Sequence, residues 1–518
     1  MKKSILISIL MALGMVSPVF TQPGTPDGEF GTEGIVATDF NDSTDYGTSL
    51  IIHPDGKIIV AGYAHNGTDQ DIALVRYNSD GTQDATFGEE GKIVTAIGSA
   101  DDCCTAAIRQ PDGKLLLTGR TYNGPDYDIP VIRYLPDGEL DNTFGTDGIT
   151  TIDIGNDFAK AIALQQDGKI LVAGYTITSS VNELIVLRLN TDGTPDSSFH
   201  DVGYLTTIAG ESGNYAYSMA LQQDEKIVVA GLSNHDTCSS LTIVRYLPDG
   251  IPDSTFDEDG ILVMPVGINN DRGNSVIIQP DQKILVFGDA SFSDQLNIFL
   301  ARFTTDGLPD NTFGENGVVS TSYGDSNSGA FAGMLQPDGK IIAAGYVSND
   351  ETMLDFAMVR YHNDGTLDNT FGNGGKVTTV IGDDKDNCYA AALQPDGKIV
   401  LTGYSTNNHQ ADIAVVRYIA SLNIGVVNFK GNEKNMLIYP NPVADVTNFE
   451  YELINKEVIS IELFDMQGRS VQTFISHEMR NPGHYKECLR IEPSLTAGNY
   501  LLVISNDIGR ESIRLSRY

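Results

Sequence analysis

The sequence predicts an all-β protein: a seven-bladed β-propeller of four-stranded blades, its ring closed by the N-terminal strand, followed by a small Ig-like β-sandwich. Three observations predict it. The phrase QPDGK recurs, whole or altered, with its lysine at Lys57, Lys114, Lys169, Lys226, Lys283, Lys340 and Lys398, at spacings of 57, 55, 57, 57, 57 and 58 residues. After each comes an alternating strand ending in Arg-Tyr or a near equivalent, at Arg76, Arg133, Arg188, Arg245, Arg302, Arg360 and Arg417. A third phrase, DGxxDxTFG, follows the first six arginines with Phe87, Phe144, Phe199, Phe256, Phe313 and Phe371, and is missing after Tyr418. A loose copy, Gly24 to Gly31, instead precedes a strand-like Ile35 to Thr38 near the N-terminus.

In the first unit, strand A is predicted over Ser49–His53, B over Lys57–Tyr63, C over Ile72–Tyr77 and D over Lys92–Ile97. Pro54, Asp55 and Gly56 suit a type I turn with glycine in the left-handed position, so A and B form a tight hairpin. Glu225 and Gln282 replace that glycine in two units, at a cost of about 1 kcal/mol each. Four-stranded units repeated radially pack the alternating apolar residues of both faces against neighbouring blades. An open solenoid has no use for an N-terminal D strand that completes the C-terminal A, B and C strands, whereas a ring does, and closure leaves no blade edge open.

QPDGK, VRY and DGxxDxTFG together resemble the delta-60 repeat family of exported bacterial proteins, over residues 22–420. The resemblance implies the propeller and an exported setting rather than an activity. Residues 421–435 read as a linker, and 436–518 as a second domain. There Tyr439, Pro440, Asn441, Pro442, the LFDMQGR turn with Gly468, and LTAGNYLLVIS with Gly498 and Tyr500 resemble the type A C-terminal sorting domain of the Bacteroidetes type IX secretion system. That resemblance implies recognition by the outer-membrane translocon and cargo that is released or anchored to surface lipopolysaccharide.

An export route also follows from the N-terminus. Met1, Lys2 and Lys3 precede an apolar run from Ile5 to Val16, the pattern of a signal peptide over residues 1–21. No stretch reaches the roughly 18 apolar residues of a membrane-spanning helix. The expected location is therefore secreted or outer cell surface, through the periplasm, without membrane insertion. The net charge of −36 sits almost wholly in the repeats: residues 431–518 hold 9 Lys+Arg against 12 Asp+Glu, leaving 24 against 57 elsewhere. Such a field repels phosphate backbones, so nucleic acid is not an expected partner. Five cysteines give no disulfide framework; neighbouring Cys103 and Cys104 lack a CxxC or a second pair at ligand spacing. A monomer is expected.

In a meander, the A–B and C–D connections share one end of the ring and the B–C and D–A connections the other. The first end is nearly identical between units; the second varies, and variable loops on a rigid ring are where binding usually resides. Candidate binding residues on that face are His65, Asp101, Asp102, Tyr122, His235, Asp383, Asp384 and His409. D–A loops on the same side gather acids, among them Asp42, Asp45, Asp157, Asp271, Asp325 and Asp386, where Ca2+ is possible; no complete DxDxDG loop exists, so the metal is left unknown and no cofactor is assigned. The aspartates of DGxxDxTFG recur in every unit and read as structural partners of turns and of the strand C arginines. No HExxH, GxSxG, GxxxxGK[ST] or CxxC is present, so no catalytic residues are assigned. The expectation is a binding or adhesion propeller for a polysaccharide or protein, not an enzyme. The alternatives are a polysaccharide lyase or hydrolase working at the channel mouth, or a structural surface protein. The absence of tryptophan weakens a carbohydrate platform, but 22 tyrosines leave stacking available.

Overall fold

The computed structural model describes residues 22–178, 181–235, 238–349 and 353–420, and of the C-terminal part 436–439, 443, 446–453, 456–465, 470–492, 495, 498–506 and 510–517. The predicted signal peptide and linker, and Pro440, Asn441, Pro442 and Gly468, lie outside the described residues. The chain divides into two compact units, one spanning Thr21–Ser421 and the other holding Leu422–Tyr518.

The first unit is a seven-bladed propeller. Blade 1 runs through strands A (Asp45–Ile52), B (Ile58–His65), C (Gln70–Tyr77) and D (Lys92–Thr95), hydrogen-bonded in that order. Blade 7 has A (Asp386–Leu393), B (Ile399–Asn407) and C (Gln410–Tyr418), and takes Ile35–Thr38 as its D strand, with Ile35 paired to Val416 and Thr38 to Ile413. Strand A begins four residues earlier than the sequence predicts, because Asp45, Tyr46 and Gly47 already pair with strand B as the chain leaves the D–A loop. Strands B and C are buried almost throughout, as expected for sheets covered on both faces by neighbouring blades.

A latch repeated in every blade binds the ring at its C–D turns. In blade 1, Arg76 Nε donates to Asp84 Oδ2 at 2.8 Å, Lys57 Nζ reaches the same oxygen at 2.8 Å, and Thr86 Oγ1 donates to Asp84 Oδ1 at 2.7 Å. The guanidinium lies over the buried Phe87 ring, 4.3 Å from its centroid, and Arg76 Nη1 donates to Pro136 O in the next blade at 2.8 Å. Asp141, Asp196, Asp253, Asp310 and Asp368 are held in the same way. The seventh latch closes the circle. Arg417 Nε donates to Asp27 Oδ2 at 2.8 Å across 390 residues of sequence, Lys398 Nζ lies 2.9 Å from the same oxygen, and Arg417 Nη1 bonds Ser79 O of blade 1.

The second unit is a β-sandwich. One sheet holds Leu437–Tyr439, Val446–Leu453 and Gly483–Arg490; the other holds Ser470–Arg480, Glu457–Asp465, Gly498–Ser505 and Arg510–Arg517. Phe449, Ile461, Leu463, Leu502 and Leu515 form its core, and Tyr500 is buried with them. Tyr439 is half-buried beneath the Lys486 ammonium, 4.9 Å from its ring centroid. Among the described residues no helix is long and apolar enough to cross a membrane.

Candidate functional site: an aromatic and cationic collar in the channel

Strand A lines the central channel in every blade, and each strand A carries a β-bulge at the same place. The register against strand B slips between Gly47 and Ser49, Cys104 and Ala106, Ala159 and Ala161, Ala216 and Ser218, Gly273 and Ser275, Ala330 and Ala332, and Cys388 and Ala390. A bulge inserts one residue opposite none and re-aims its side chain. The seven bulged residues are Thr48, Thr105, Lys160, Tyr217, Asn274, Phe331 and Tyr389, and all seven line one cavity of about 520 Å³ in the channel. That volume lies within the range of small-molecule sites.

A glycine in strand B permits each bulge. A Cβ on Gly62, Gly119, Gly174, Gly231, Gly288, Gly345 or Gly403 would fall between 1.7 and 2.1 Å from a carbonyl oxygen of strand A, closer than any side chain allows. The residue after that glycine, together with its strand A partner, forms the rim of the channel toward the B–C and D–A loops. The pairs are Tyr46 with Tyr63, Cys103 with Arg120, Phe158 with Tyr175, Tyr215 with Leu232, Arg272 with Asp289, Gly329 with Tyr346, and Asn387 with Tyr404.

Rim and bulge side chains, joined by Tyr122 and Tyr127 at the ends of strands B and C of blade 2, build a collar of two aromatic arcs. One runs Tyr122, Tyr127, Phe158, Tyr175, Tyr215, Tyr217, with successive ring centroids 5.2, 5.5, 4.8, 4.9 and 6.2 Å apart. The other runs Tyr63, Tyr46, Tyr404, Tyr389, Phe331, Tyr346, at 5.0, 4.8, 6.0, 5.5 and 5.6 Å. All twelve rings are half-buried, so each keeps some surface free for contact. Arginines meet both arcs: Arg120 lies over Tyr127 at 4.9 Å and Phe158 at 5.9 Å, and Arg272 over Phe331 at 5.6 Å.

The charge of this cavity is opposite to that of the protein. Its lining includes Arg120, Lys160 and Arg272 and no carboxylate. Arg272 is paired with Asp289 behind it, Nη2 to Oδ1 at 3.0 Å. Arg120 has no carboxylate partner among the described residues: Nη2 meets Cys103 Sγ at 3.7 Å, and Nε is buried without an acceptor. Burial, with Arg120 nearby, pushes the Lys160 ammonium below the ordinary lysine range, and it forms no ion pair among the described residues. Burial likewise pushes the Tyr217 and Tyr346 hydroxyls up to about 12, so both remain neutral donors at neutral pH.

The residues proposed from sequence sit on the same end of the ring but do not converge. His65 closes strand B of blade 1, where its Nδ1 accepts from Gly67 N at 3.0 Å. Asp101 Oδ1 accepts from Gln70 N at 3.1 Å and so ties blade 2 to blade 1. His235 is half-buried on blade 4, with Nε2 lacking a partner. Asp383 is exposed and accepts from Asn408 N at 3.0 Å; Asp384 is half-buried beside it, and His409 is exposed at the tip of that hairpin. Tyr122 alone of the eight joins the collar.

Asp102 is not on the rim at all. It is fully buried at the start of strand A, where its carboxylate accepts from Ile97 N, Gly98 N and Thr121 Oγ1 at 2.6, 3.2 and 2.5 Å. Asp157, Asp271 and Asp386 fold back on their own D–A loops in the same way. These four acids close their own loops rather than face solvent, which corrects the expectation that the D–A acids gather on that side of the ring. Cys103 and Cys104 are both free thiols.

A family described as a domain of unknown function (DUF5122) β-propeller matches residues 53–87, 110–144, 165–199, 222–256, 279–313, 336–371 and 394–421. The secretion system C-terminal sorting domain matches residues 437–515. No curated protein matches the chain. Solved structures similar to it include PorZ, an essential surface component of the type-IX secretion system of Porphyromonas gingivalis, at 9% identity over 90% of this chain and 68% of that one, with a TM-score of 0.28. A PL25 ulvan lyase matches at 11% identity over 74% and 96%, TM-score 0.43. Chaetomium thermophilum Sqt1 bound to the N-terminus of ribosomal protein L10 matches at 11% over 74% and 98%, TM-score 0.39. The chain thus carries seven DUF5122 β-propeller repeats closed into one ring, followed by the sorting domain by which the type IX secretion system exports it to the cell surface or beyond.

Proposed function

We propose that the propeller is a binding module, not an enzyme, and that it captures an acidic oligosaccharide, or the end of an acidic polysaccharide chain, in the channel collar. The observation that carries this reading is the pair of unneutralised cations, Arg120 and Lys160, set among half-buried aromatic rings in a protein of net charge −36. Tyrosine and phenylalanine faces stack on sugar rings, and guanidinium and ammonium groups bond carboxylate or sulfate. Leaving two cations partly desolvated and without a counter-charge costs stability, so an anion that enters the collar recovers that cost. The acidic exterior slows the approach of such a ligand and disfavours long polyanions laid across the surface; a chain end that reaches the cavity escapes much of this repulsion.

The test is calorimetric titration of the secreted protein with acidic oligosaccharides, uronate-containing and sulfated, beside neutral ones of equal length. Acidic ligands are expected to bind with an affinity that falls as salt rises, and Lys160→Met and Arg120→Gln each to weaken binding by about tenfold or more. The Lys160→Met chain should be as stable as the parent. Equal binding of neutral and acidic ligands, or full binding by both variants, overturns the reading. Consumption of the bound oligosaccharide on prolonged incubation replaces the binding module with an enzyme.

A further inference from the structure

The ring is closed where the N-terminal D strand joins blade 7, and three aspartates from three elements meet beside that seam. Asp39 directly follows the closing strand Ile35–Thr38, Asp412 lies in strand C of blade 7, and Asp45 opens strand A of blade 1. Each brings one carboxylate oxygen to within 4.8 Å of the others. Oδ1 of all three is buried and has no hydrogen-bond partner. Asp45 is completely buried.

The neighbouring blades show why this is not simply how the fold looks. At the position of Asp45, Asp102 Oδ1 accepts from Thr121, and Asp271 Oδ1 accepts from Gly267 N at 3.0 Å. Strand B presents Thr121 opposite Asp102, Thr176 opposite Asp157 and Ser405 opposite Asp386, but Ala64 opposite Asp45. At the position of Asp412, Asp71 and Asp128 are each held by an asparagine amide, Asn66 and Asn123, at 2.8 and 3.0 Å. Asp412 has no such bond. A second acidic trio, Asp128, Asp153 and Asp157, occupies the equivalent place between blades 2 and 3; Asp157 Oδ1 is likewise buried without a partner, but there Asn123 holds Asp128 and Asp153 is exposed. At the seam, Asp45 lacks the strand B hydroxyl that Thr121 gives Asp102, and Asp412 the amide that Asn123 gives Asp128.

Among the described residues no side-chain cation replaces them. Lys92 Nζ donates to the Asp39 carbonyl at 2.7 Å and lies over the Phe40 ring at 4.9 Å, and it pairs with none of the three carboxylates within 4.0 Å. Burial, with Asp39 and Asp412 beside it, pushes the Asp45 carboxyl up to about 7, as expected of acids short of a counter-charge.

From this geometry we infer that Asp39, Asp45 and Asp412 bind a divalent cation, calcium, that clips the closing strand to blades 7 and 1. Calcium takes oxygen ligands at about 2.3–2.6 Å in irregular arrangements, so oxygens on opposite sides of one ion lie up to about 5 Å apart, the spread seen here. Three carboxylates also supply the charge that a hard dication requires, and water completes the shell. An extracellular module with few protein ligands binds calcium in the range of about 0.1–1 mM, suited to filling after export.

The experiment uses the full secreted chain, stripped with chelator and dialysed, and titrates it with calcium chloride while thermal unfolding is followed in parallel. Calcium is expected to bind at one site and raise the unfolding midpoint. Asp412→Asn and Asp39→Asn should each weaken binding by about tenfold or more, whereas Asp153→Asn in the second trio should leave it unchanged. In chelator the order of stability should reverse: Asp412→Asn removes one of three crowded charges and should unfold at a higher temperature than the parent, then gain nothing from calcium. Asp45→Asn, which places at this position the residue that blade 4 carries as Asn214, is the variant least apt to disturb folding and should also lose the calcium response. A folded parent chain that takes up no calcium, or a calcium response that survives both Asp412→Asn and Asp39→Asn, overturns the inference.

Discussion

The girdle of latches at the C–D turns and the channel of this propeller are built by the same seven repeats, and they differ in what repetition has kept. At the girdle every blade carries aspartate, arginine, lysine and phenylalanine in one geometry, with the Arg–Asp bond at 2.7–2.8 Å each time. In the channel the seven bulges are equally regular in backbone, yet the residues on them are Thr, Thr, Lys, Tyr, Asn, Phe and Tyr. Where geometry and side chain both repeat, the residue serves the ring. Where geometry repeats and the side chain varies, the ring is serving something else.

Acid should break the girdle first and most severely, because it acts on all seven latches together. Burial raises the carboxyl of each latch aspartate, but hydrogen bonds from the lysine and a turn amide, with the arginine charge and, in all but the Asp27 latch, a threonine or serine hydroxyl, outweigh it. Asp253 is held at about 2, and the other latch aspartates are also held below their ordinary value. Groups whose folded value is depressed contribute stability that is complete above the unfolded value near 4 and is lost as pH falls toward the folded one. Urea midpoints should therefore hold near neutrality and drop steeply below about pH 4; a flat profile down to pH 2.5 would mean the latches carry little.

A single latch comes next. Arg417→Met leaves Asp27 buried without its guanidinium at the closing seam and should cost about 3–5 kcal/mol by urea unfolding, with oligosaccharide binding by the folded fraction unchanged. Smaller in stability but wider in effect, Gly174→Ala sets a Cβ 2.0 Å from the Phe158 carbonyl. It should cost about 1–3 kcal/mol and, by flattening the bulge that aims Lys160, also weaken anion binding. A variant that lost stability with binding intact would separate the bulge from the site. Least of all, Glu225→Gly relieves a left-handed turn residue at φ 65° and should stabilise by about 0.5–1 kcal/mol, with the channel unaffected.

The girdle was legible in the sequence because it depends on phrases short enough to recognise and repeated seven times. The closing latch was legible too, since a misplaced DGxxDxTFG copy has one structural use. The collar was not. Starting strand A at Ser49 left Tyr46 and Thr48 in a loop, and the equivalent residues of the other blades with them. A bulge also breaks the strict alternation by which a strand's facing residues are read, so Lys160, Tyr217, Phe331 and Tyr389 gave no periodic signal. One signal was present: each strand B carries a glycine, from Gly62 to Gly403, inside an otherwise β-branched and aliphatic run, and a glycine there marks close approach of another backbone. Following it to the residue beyond, Tyr63, Arg120, Tyr175, Leu232, Asp289, Tyr346 and Tyr404, would have traced the rim. The aspartates misled for a related reason, since a buried loop-closing carboxylate and an exposed one look alike in sequence.

The regular bulge has a consequence for how such a chain can change. Each repeat offers one inward position whose occupant is held by its own hairpin and, in four blades of seven, is not bonded to the strand A backbone of the next blade; Thr48, Thr105 and Asn274 are the three that are. Substitution at the other four alters the lining without disturbing a neighbour's hydrogen bonds. A chain made of seven like-folded units therefore contains a small lock whose pins are set independently, so that descendants sharing the same scaffold can accept different keys after one or two point changes.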